Sequence, residues 1–209
     1  MTAHCFMERG YHATSIDDVA KQLGSTKGRI YHYYDTKTDL FFDVLREGMA
    51  RLFAALEPAL SIEGDGITVL RAMLMAHARA MLEHHVYESV VAQGVQVHRF
   101  DAMTDDQKQT MRDLIASRDN FEQHFKDGIA LGIKDGTIRP VDVSVTAKVL
   151  LGALQWSIFW YRPERRDDAE TRKASRPGWS SRWSPTCFRR RPGVAVDFGQ
   201  RRLHDNPVA

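Results

Sequence analysis

Residues 15–40 read SIDDVAKQLGSTKGRIYHYYDTKTDL. At each end a hydroxyl residue is followed three positions later by a carboxylate, Ser15 with Asp18 and Thr36 with Asp39. This is the capping-box pattern with Asp in place of Glu, and it predicts two helix starts. Between them Ile16, Val19, Ala20 and Leu23 share one helical face, Gly24 supplies a left-handed stop, and Ser25 is expected to cap the next helix. The expectation is helix, tight turn, helix, with the second helix running from Thr26 to Tyr33. Its inward side is taken up by Ile30 and Tyr34, four residues apart, and Leu40 holds the start of the following helix to the core.

The other faces of that second helix carry Thr26, Lys27, Gly28, Arg29, Tyr31, His32 and Tyr33. A short helix so decorated suits the major groove of DNA, where residues near the helix N-terminus reach base edges. Lys and Arg pair with guanine O6 and N7, whereas hydroxyls and N-terminal amides suit phosphates. A glycine inside a helix costs about 1 kcal/mol relative to alanine. Close approach of the backbone to DNA would account for Gly28. The alternative for Tyr31, Tyr33 and Tyr34 is aromatic core packing, and for Lys27 and Lys37 a solvated charge.

Working outward, helical periodicity continues. Leu40, Phe41, Val44, Leu45, Met49, Leu52, Phe53 and Leu56 make one stripe, expected to end at Pro58. SIEGDG is a linker with a cap at Asp65, followed by a helix from Gly66 to His84 and a shorter one to His98. Met111, Leu114, Ile115, Phe121, Phe125, Ile129 and Ile133 form another stripe before the turn GTIRP. Val143 to Trp160 is apolar nearly all round, which predicts burial on every side. No period-two alternation is present, so the chain reads as all-α with eight or nine helices.

The composition, 43% hydrophobic and 27% charged over 209 residues, belongs to a globular protein with a sizeable core. Cys5 and Cys187 form no paired spacing, which argues against a disulfide framework or a zinc site and favours a reducing cytoplasm. The most apolar run, Val149 to Trp160, is about twelve residues against the roughly twenty a bilayer needs, and MTAHCFMERG lacks a signal-peptide pattern. The net charge of +2 conceals an asymmetry. Eleven of the 29 basic and six of the 27 acidic residues lie from Pro163 onward, leaving 18 basic against 21 acidic before it. Residues 163–209 also hold five of the seven prolines and two tryptophans without helical or strand period. They read as a disordered basic tail, or as coding sequence translated out of frame after about Arg165.

FMERGYHATSIDDVAKQLGSTKGRIYHYYDTKTDLFFDVL resembles the DNA-binding domain of TetR-family transcriptional regulators over about forty residues. A G-Y-x-x-T-S-I start, the A-x-x-L-G-S-T-x-G core, the I-Y-x-Y-Y element and a K-x-x-L helix start occur in the family's order. The resemblance implies phosphate contacts from Thr14 and Ser15, base-facing positions for Lys27, Gly28, Arg29 and Tyr31, and backbone contacts from His32, Tyr33 and Lys37. It implies a domain organisation: residues 1–46 as a three-helix helix-turn-helix domain, 47–162 as a helical ligand-binding and dimerisation domain, and 163–209 as the tail. Members usually carry ten to twenty more residues before the motif, which here begins after MTAHCFMERG; a trimmed first helix is therefore expected, with Phe6 still in place as its apolar anchor.

No catalytic motif, glycine-rich phosphate loop or metal-ligand spacing is found after Pro58, which implies no cofactor, no metal and no enzyme activity. LLGALQWSIFWYRPE, QGVQVHRF and RDNFEQHFKDGIALGIKDGTIRPVD are similar to C-terminal domains of regulators answering to acyl-CoA thioesters. That similarity implies a repressor released from its operator by such a ligand, with Met73, His77, Trp156, Trp160 and Arg162 as candidate ligand residues. Core packing is the alternative for Met73 and His77, and a homodimer interface is the alternative for the tryptophans and Arg162. In the family the last two helices pair with those of a partner subunit, and the tail replaces the second. The competing functions are a helical acyl-thioester carrier or enzyme without DNA binding, and a regulator with an incomplete dimer interface.

Overall fold

The computed structural model describes residues 1–97 and 103–161. Among these there are nine helices and no strand: α1 Thr2–Ala13, α2 Ile16–Gln22, α3 Lys27–Tyr31, α4 Lys37–Leu60, α5 Gly66–Glu83, α6 His85–Val97, α7 Asp105–Lys134, α8 Val143–Gln155 and α9 Ser157–Trp160. The all-α expectation is met. Arg162, residues 163–209 and His98 lie outside the described residues.

Both capping boxes form as the sequence predicts, at Ser15/Asp18 and Thr36/Asp39, and a third forms at Thr104/Gln107. Asp65 caps α5 through the Thr68 amide. Two local expectations are corrected. Thr26, not Ser25, caps α3, because its side chain accepts from Arg29 N, while Ser25 N is spent on Ala20 O in the turn at Gly24 (φ +61). Pro58 does not stop α4, which continues to Leu60. Proline withholds the one N–H that would reach the Ala54 carbonyl, and only two helical residues follow it, so the helix loses a single bond near its end.

Two cores result. The first gathers Phe6 and Tyr11 of α1, Ile16 and Val19 of α2, Ile30 of α3 and Leu40 to Leu45 of α4 around Val90 and Met111. The second gathers the later half of α4 with α5, the later half of α7 and α8, around Phe121, Phe125 and Ile129. Helices α4 and α7 therefore run through both, and α6 packs on α1 and α4. α5 crosses α7 where Gly66 meets Gly132; a Cβ on Gly66 would lie 2.1 Å from the Gly132 amide nitrogen, so the crossing requires glycine. The Gly66 amide donates to Asp135 at 2.6 Å beside it.

α8 and α9 overturn one expectation. Ala147, Leu150 and Leu151 are buried, but Val145 (58% exposed), Val149, Trp156, Phe159 and Trp160 are open on the opposite side. All-round apolarity thus covers one face of the single chain and leaves a second face bare. Taken from Val143, the run reaches 18 residues with mean hydropathy 1.3, long and apolar enough by length and composition to cross a membrane. Its inner face is engaged with α5 and α7, and Lys148 is paired with Glu122 of α7 at 2.5 Å.

Candidate nucleic-acid interface

The reading surface is built from three cap positions. α1 ends at Ala13, and buried Thr14 turns the chain into α2. Its hydroxyl donates to the Gly10 carbonyl at 2.7 Å and the Cys5 carbonyl at 3.1 Å. With 1% exposure, the Thr14 side chain braces the corner between α1 and α2. Ser15 is exposed, but its hydroxyl proton is directed to Asp18 at 2.6 Å; this bond and the Ser15 amide hold the Asp18 carboxyl below its usual range. Arg9 adds an ion pair to Asp18 at 2.8 Å.

α3 is one and a half turns long, held by Thr26 at its start and Ile30 (6% exposed) underneath. Tyr34, half-buried, donates to Asp43 of α4 at 2.7 Å, and burial together with that carboxylate pushes its hydroxyl up to about 12. Tyr34 and Ile30 are thus the two anchors that the sequence predicts. Everything else on α3 and its exit is exposed: Lys27, Gly28, Arg29, Tyr31 (45%), His32 and Tyr33 (70%). Core packing is thereby ruled out for Tyr31 and Tyr33. A Cβ at Gly28 would meet nothing within 4 Å, so the α3 backbone stands bare toward solvent.

The cations divide by their partners. Lys27 is paired with Asp17 of α2 at 3.0 Å, which raises its pKa, and it lies 6.0 Å from the Tyr31 ring centroid. Arg29 forms no ion pair among the described residues. Lys37 is half-buried: its ammonium donates to the carbonyls of Tyr11 (2.8 Å) and His12 (3.3 Å) and sits 4.4 Å from the Tyr11 ring centroid. Lys37 therefore ties the start of α4 to the end of α1. Sequence spacing locates such a lysine but cannot show that two C-terminal carbonyls of α1, left open where the helix ends at Ala13, converge on it.

The candidate ligand residues do not converge. Met73 and His77 are enclosed at 1% exposure, with His77 against Phe121 and Phe125 (5.2 and 5.9 Å between centroids). Burial holds the His77 imidazole at about 4, neutral, and neither ring nitrogen has a hydrogen-bond partner. Trp156 and Trp160 are on the outer surface, 63% and 53% exposed, with the Trp156 and Phe159 rings tilted against each other at 4.6 Å between centroids. A groove of about 550 Å³ runs between Phe53 and Asp113 to Asp127 on α7, and a cleft of about 460 Å³ lies between the start of α1, α4 and Tyr87; neither is lined by any of these four residues. Among the described residues no group of three or more His, Cys, Asp or Glu could hold a metal ion.

Sequence reasoning missed Glu88. It is 3% exposed on α6, and burial, opposed only by Arg51, raises its carboxyl to about 8, with Oε1 unpartnered. The available signal was a carboxylate between Val86, Val90 and Val91 at helical spacing. Buried unpartnered groups such as Glu88 Oε1 and the His77 ring nitrogens each cost about 1–3 kcal/mol.

A three-helix head with an exposed, glycine-opened reading helix, mounted on a separate helical core, defines a DNA-binding transcriptional regulator. Residues 2–44 match the family described as bacterial regulatory proteins, tetR family, and residues 63–171 match the tetracyclin repressor-like C-terminal domain. The chain belongs to the tetR family. Among its relatives is the HTH-type transcriptional repressor KstR2 of Mycobacterium tuberculosis, 26% identical over 168 residues and 78% of each chain. The crystal structure of PfmR from Thermus thermophilus superposes with a TM-score of 0.68 at 30% identity, over 80% of this chain and 85% of that one. AibR, crystallised with isovaleryl coenzyme A and operator DNA, shares the fold (TM-score 0.65, 22% identity, 78% of this chain and 84% of that one).

Proposed function

We propose that this regulator is a homodimeric cytoplasmic repressor, without enzyme activity, that leaves its operator when an acyl-CoA thioester enters the C-terminal core. The observation that carries the DNA half is the exposed face of α3: Arg29 unpaired among the described residues, Gly28 bare, and Tyr31 and Tyr33 outward over buried Ile30. On this reading Thr26 offers its hydroxyl to phosphate, Ser15 turns its hydroxyl from Asp18 to phosphate on DNA, Lys27, Gly28, Arg29 and Tyr31 face bases, and His32 and Tyr33 flank the backbone. Residues 1–46 act as the reading domain, 47–162 as the sensing and pairing domain, and 163–209 as the tail.

The bare face of α8 and α9 supports pairing with a second copy. Five large apolar side chains, each more than half exposed, are the kind of patch that a monomer rarely keeps. We assign Trp156 and Trp160 to that interface. Two reading helices about one DNA turn apart would then engage a two-fold operator. The ligand half rests on Met73 and His77 within the second core and on buried Glu88 of α6, whose Oε1 is unpartnered, together with relatives named for ketosteroid regulation and crystallised with a CoA thioester. Ligand binding releases DNA only if it favours a conformation with lower operator affinity, by the same coupling factor in both directions.

The test is a mobility shift on duplexes selected from a random pool by the protein itself, titrated with saturated, branched and steroid-derived acyl-CoAs, alongside size-exclusion chromatography. Enrichment of one sequence, its release by a thioester and elution at twice the chain mass are expected. Thioester binding without any sequence enrichment would favour the carrier reading, and a monomer would favour the regulator with an incomplete interface.

A further inference from the structure

α7 reaches from one core to the other. Its 30 residues make a rod of about 45 Å. Leu114 and Met111 pack in the core of the reading head, whereas Phe121 and Phe125 pack on His77 and Ile129 joins them in the second core. At the head end lies Gln107, a polar side chain with only 7% exposure.

Gln107 belongs to two capping boxes at once. Within α7 its backbone amide donates to Thr104 Oγ1 and its Oε1 accepts from the Thr104 amide, both at 3.2 Å. Its Nε2 donates across to α4, to Thr36 Oγ1 and to Asp39 Oδ1, both at 3.0 Å. The α4 box is closed on itself: Thr36 N and Thr36 Oγ1 donate to Asp39 Oδ2, and Asp39 N donates to Thr36 Oγ1. The Thr36 hydroxyl therefore gives its one proton to Asp39 and fills both lone pairs, one from the Asp39 amide and one from Gln107. Thr36 follows the reading helix by only four residues of chain, Tyr31 to Thr36. No slack remains in this junction.

We propose that Gln107 is a positioning residue that latches α7 to the cap of α4, so that movement of α7 in the sensing core is delivered to the reading helix. This deepens the ligand-responsive reading and rests on it. A hydrogen-bond network with every donor and acceptor used resists partial slippage: α4 either follows α7 or the box opens. The latch lies outside the DNA-facing surface, so its loss acts on coupling and not on base contacts. Arg46, which reaches Thr110 at 3.4 Å, is a weaker second link between the same helices.

The experiment is hydrogen exchange on the full chain with and without a duplex that the wild-type protein has selected from a random pool. In the wild type, DNA is expected to slow exchange at least fivefold in the first turn of α4 and also in α7 around Lys108 to Met111. In Gln107→Met, which keeps the length and apolar stem, slowing should remain in α2, α3 and α4 and vanish from α7. Gln107→Glu, which sets a carboxylate against Asp39, should do the same and serves where the first variant folds poorly. Thr104→Ala removes the α7 cap but leaves the latch, and must retain the transmitted slowing. Transmission through α7 in both Gln107 variants, or its absence from the wild type, overturns the proposal. None of these readouts needs an effector, so failure of the thioester reading leaves them intact. If a thioester does release the wild type, Gln107→Met should bind it unchanged and release DNA at least tenfold less.

Discussion

Lys37→Ala separates a structural lysine from a phosphate-binding one. In the structure its ammonium reaches two backbone carbonyls of α1 and covers the Tyr11 ring. A hydrogen bond from a charged donor contributes about 1.5–3 kcal/mol where water is excluded, and a partly exposed cation–π contact about 0.5–1 kcal/mol. Water can reach His12, which is exposed, and replace part of what is lost there. A net loss of about 2 kcal/mol follows, and at about 2–4 °C per kcal/mol for a chain of this size the melting midpoint should fall by about 4–8 °C. Differential scanning calorimetry measures that shift. DNA binding measured between about 50 and 200 mM salt should keep its slope, since no phosphate contact is removed. An unchanged midpoint with a salt slope lower by about one unit would refute the placement of Lys37 and restore it as a DNA contact.

Gly28→Ala should raise helix stability by about 1 kcal/mol, because its methyl meets open space, while lowering DNA affinity by interposing between backbone and duplex; opposite shifts in melting midpoint and binding constant are the readout. Glu88 has a folded pKa of about 8 against an ordinary 4.5, so its burial is tolerated when protonated and opposes folding increasingly as pH rises from 4.5 through 8. Glu88→Gln should therefore stabilise the protein on the order of 2 kcal/mol at about pH 7.5 and have no advantage at about pH 4.5, as urea unfolding at the two pH values will report. Trp156→Glu, at a position that is 63% exposed in the single chain, should shift size-exclusion elution from dimer to monomer with helical circular dichroism intact.

Much of the head is legible in the sequence because its signals are local. Ser15, Asp18, Thr36 and Asp39 announce their capping boxes by spacing, Gly24 marks the turn, and Ile30 with Tyr34 define the inner face of α3. Residues whose roles depend on distant chain were read differently. Thr14 and Lys37 carry groups suited to phosphate, and both reach carbonyls in the last turn of α1 that local spacing does not bring together with them. α8 shows the limit of periodicity: apolarity on all sides states that a helix avoids water, not whether its second face meets the same chain or another. The candidate ligand residues fail to converge for a related reason. Met73 and Trp156 look alike in composition, but one lies inside the second core and the other outside it. Gln107 and Glu88 carried no motif at all, since their importance comes from packing against α4 or into an apolar interior.

The most direct test of DNA reading by α3 is selection from a random duplex pool with the wild type and with Arg29→Ala in parallel. Arg29 is exposed and forms no ion pair among the described residues, so its removal should leave stability alone and remove discrimination at one position of each half-site. The account predicts a two-fold symmetric wild-type sequence and, for the variant, a loss of about 1–3 kcal/mol confined to a single base pair per half-site. A wild-type pool without any enriched sequence, or a variant that selects the same sequence with the same affinity, would contradict it.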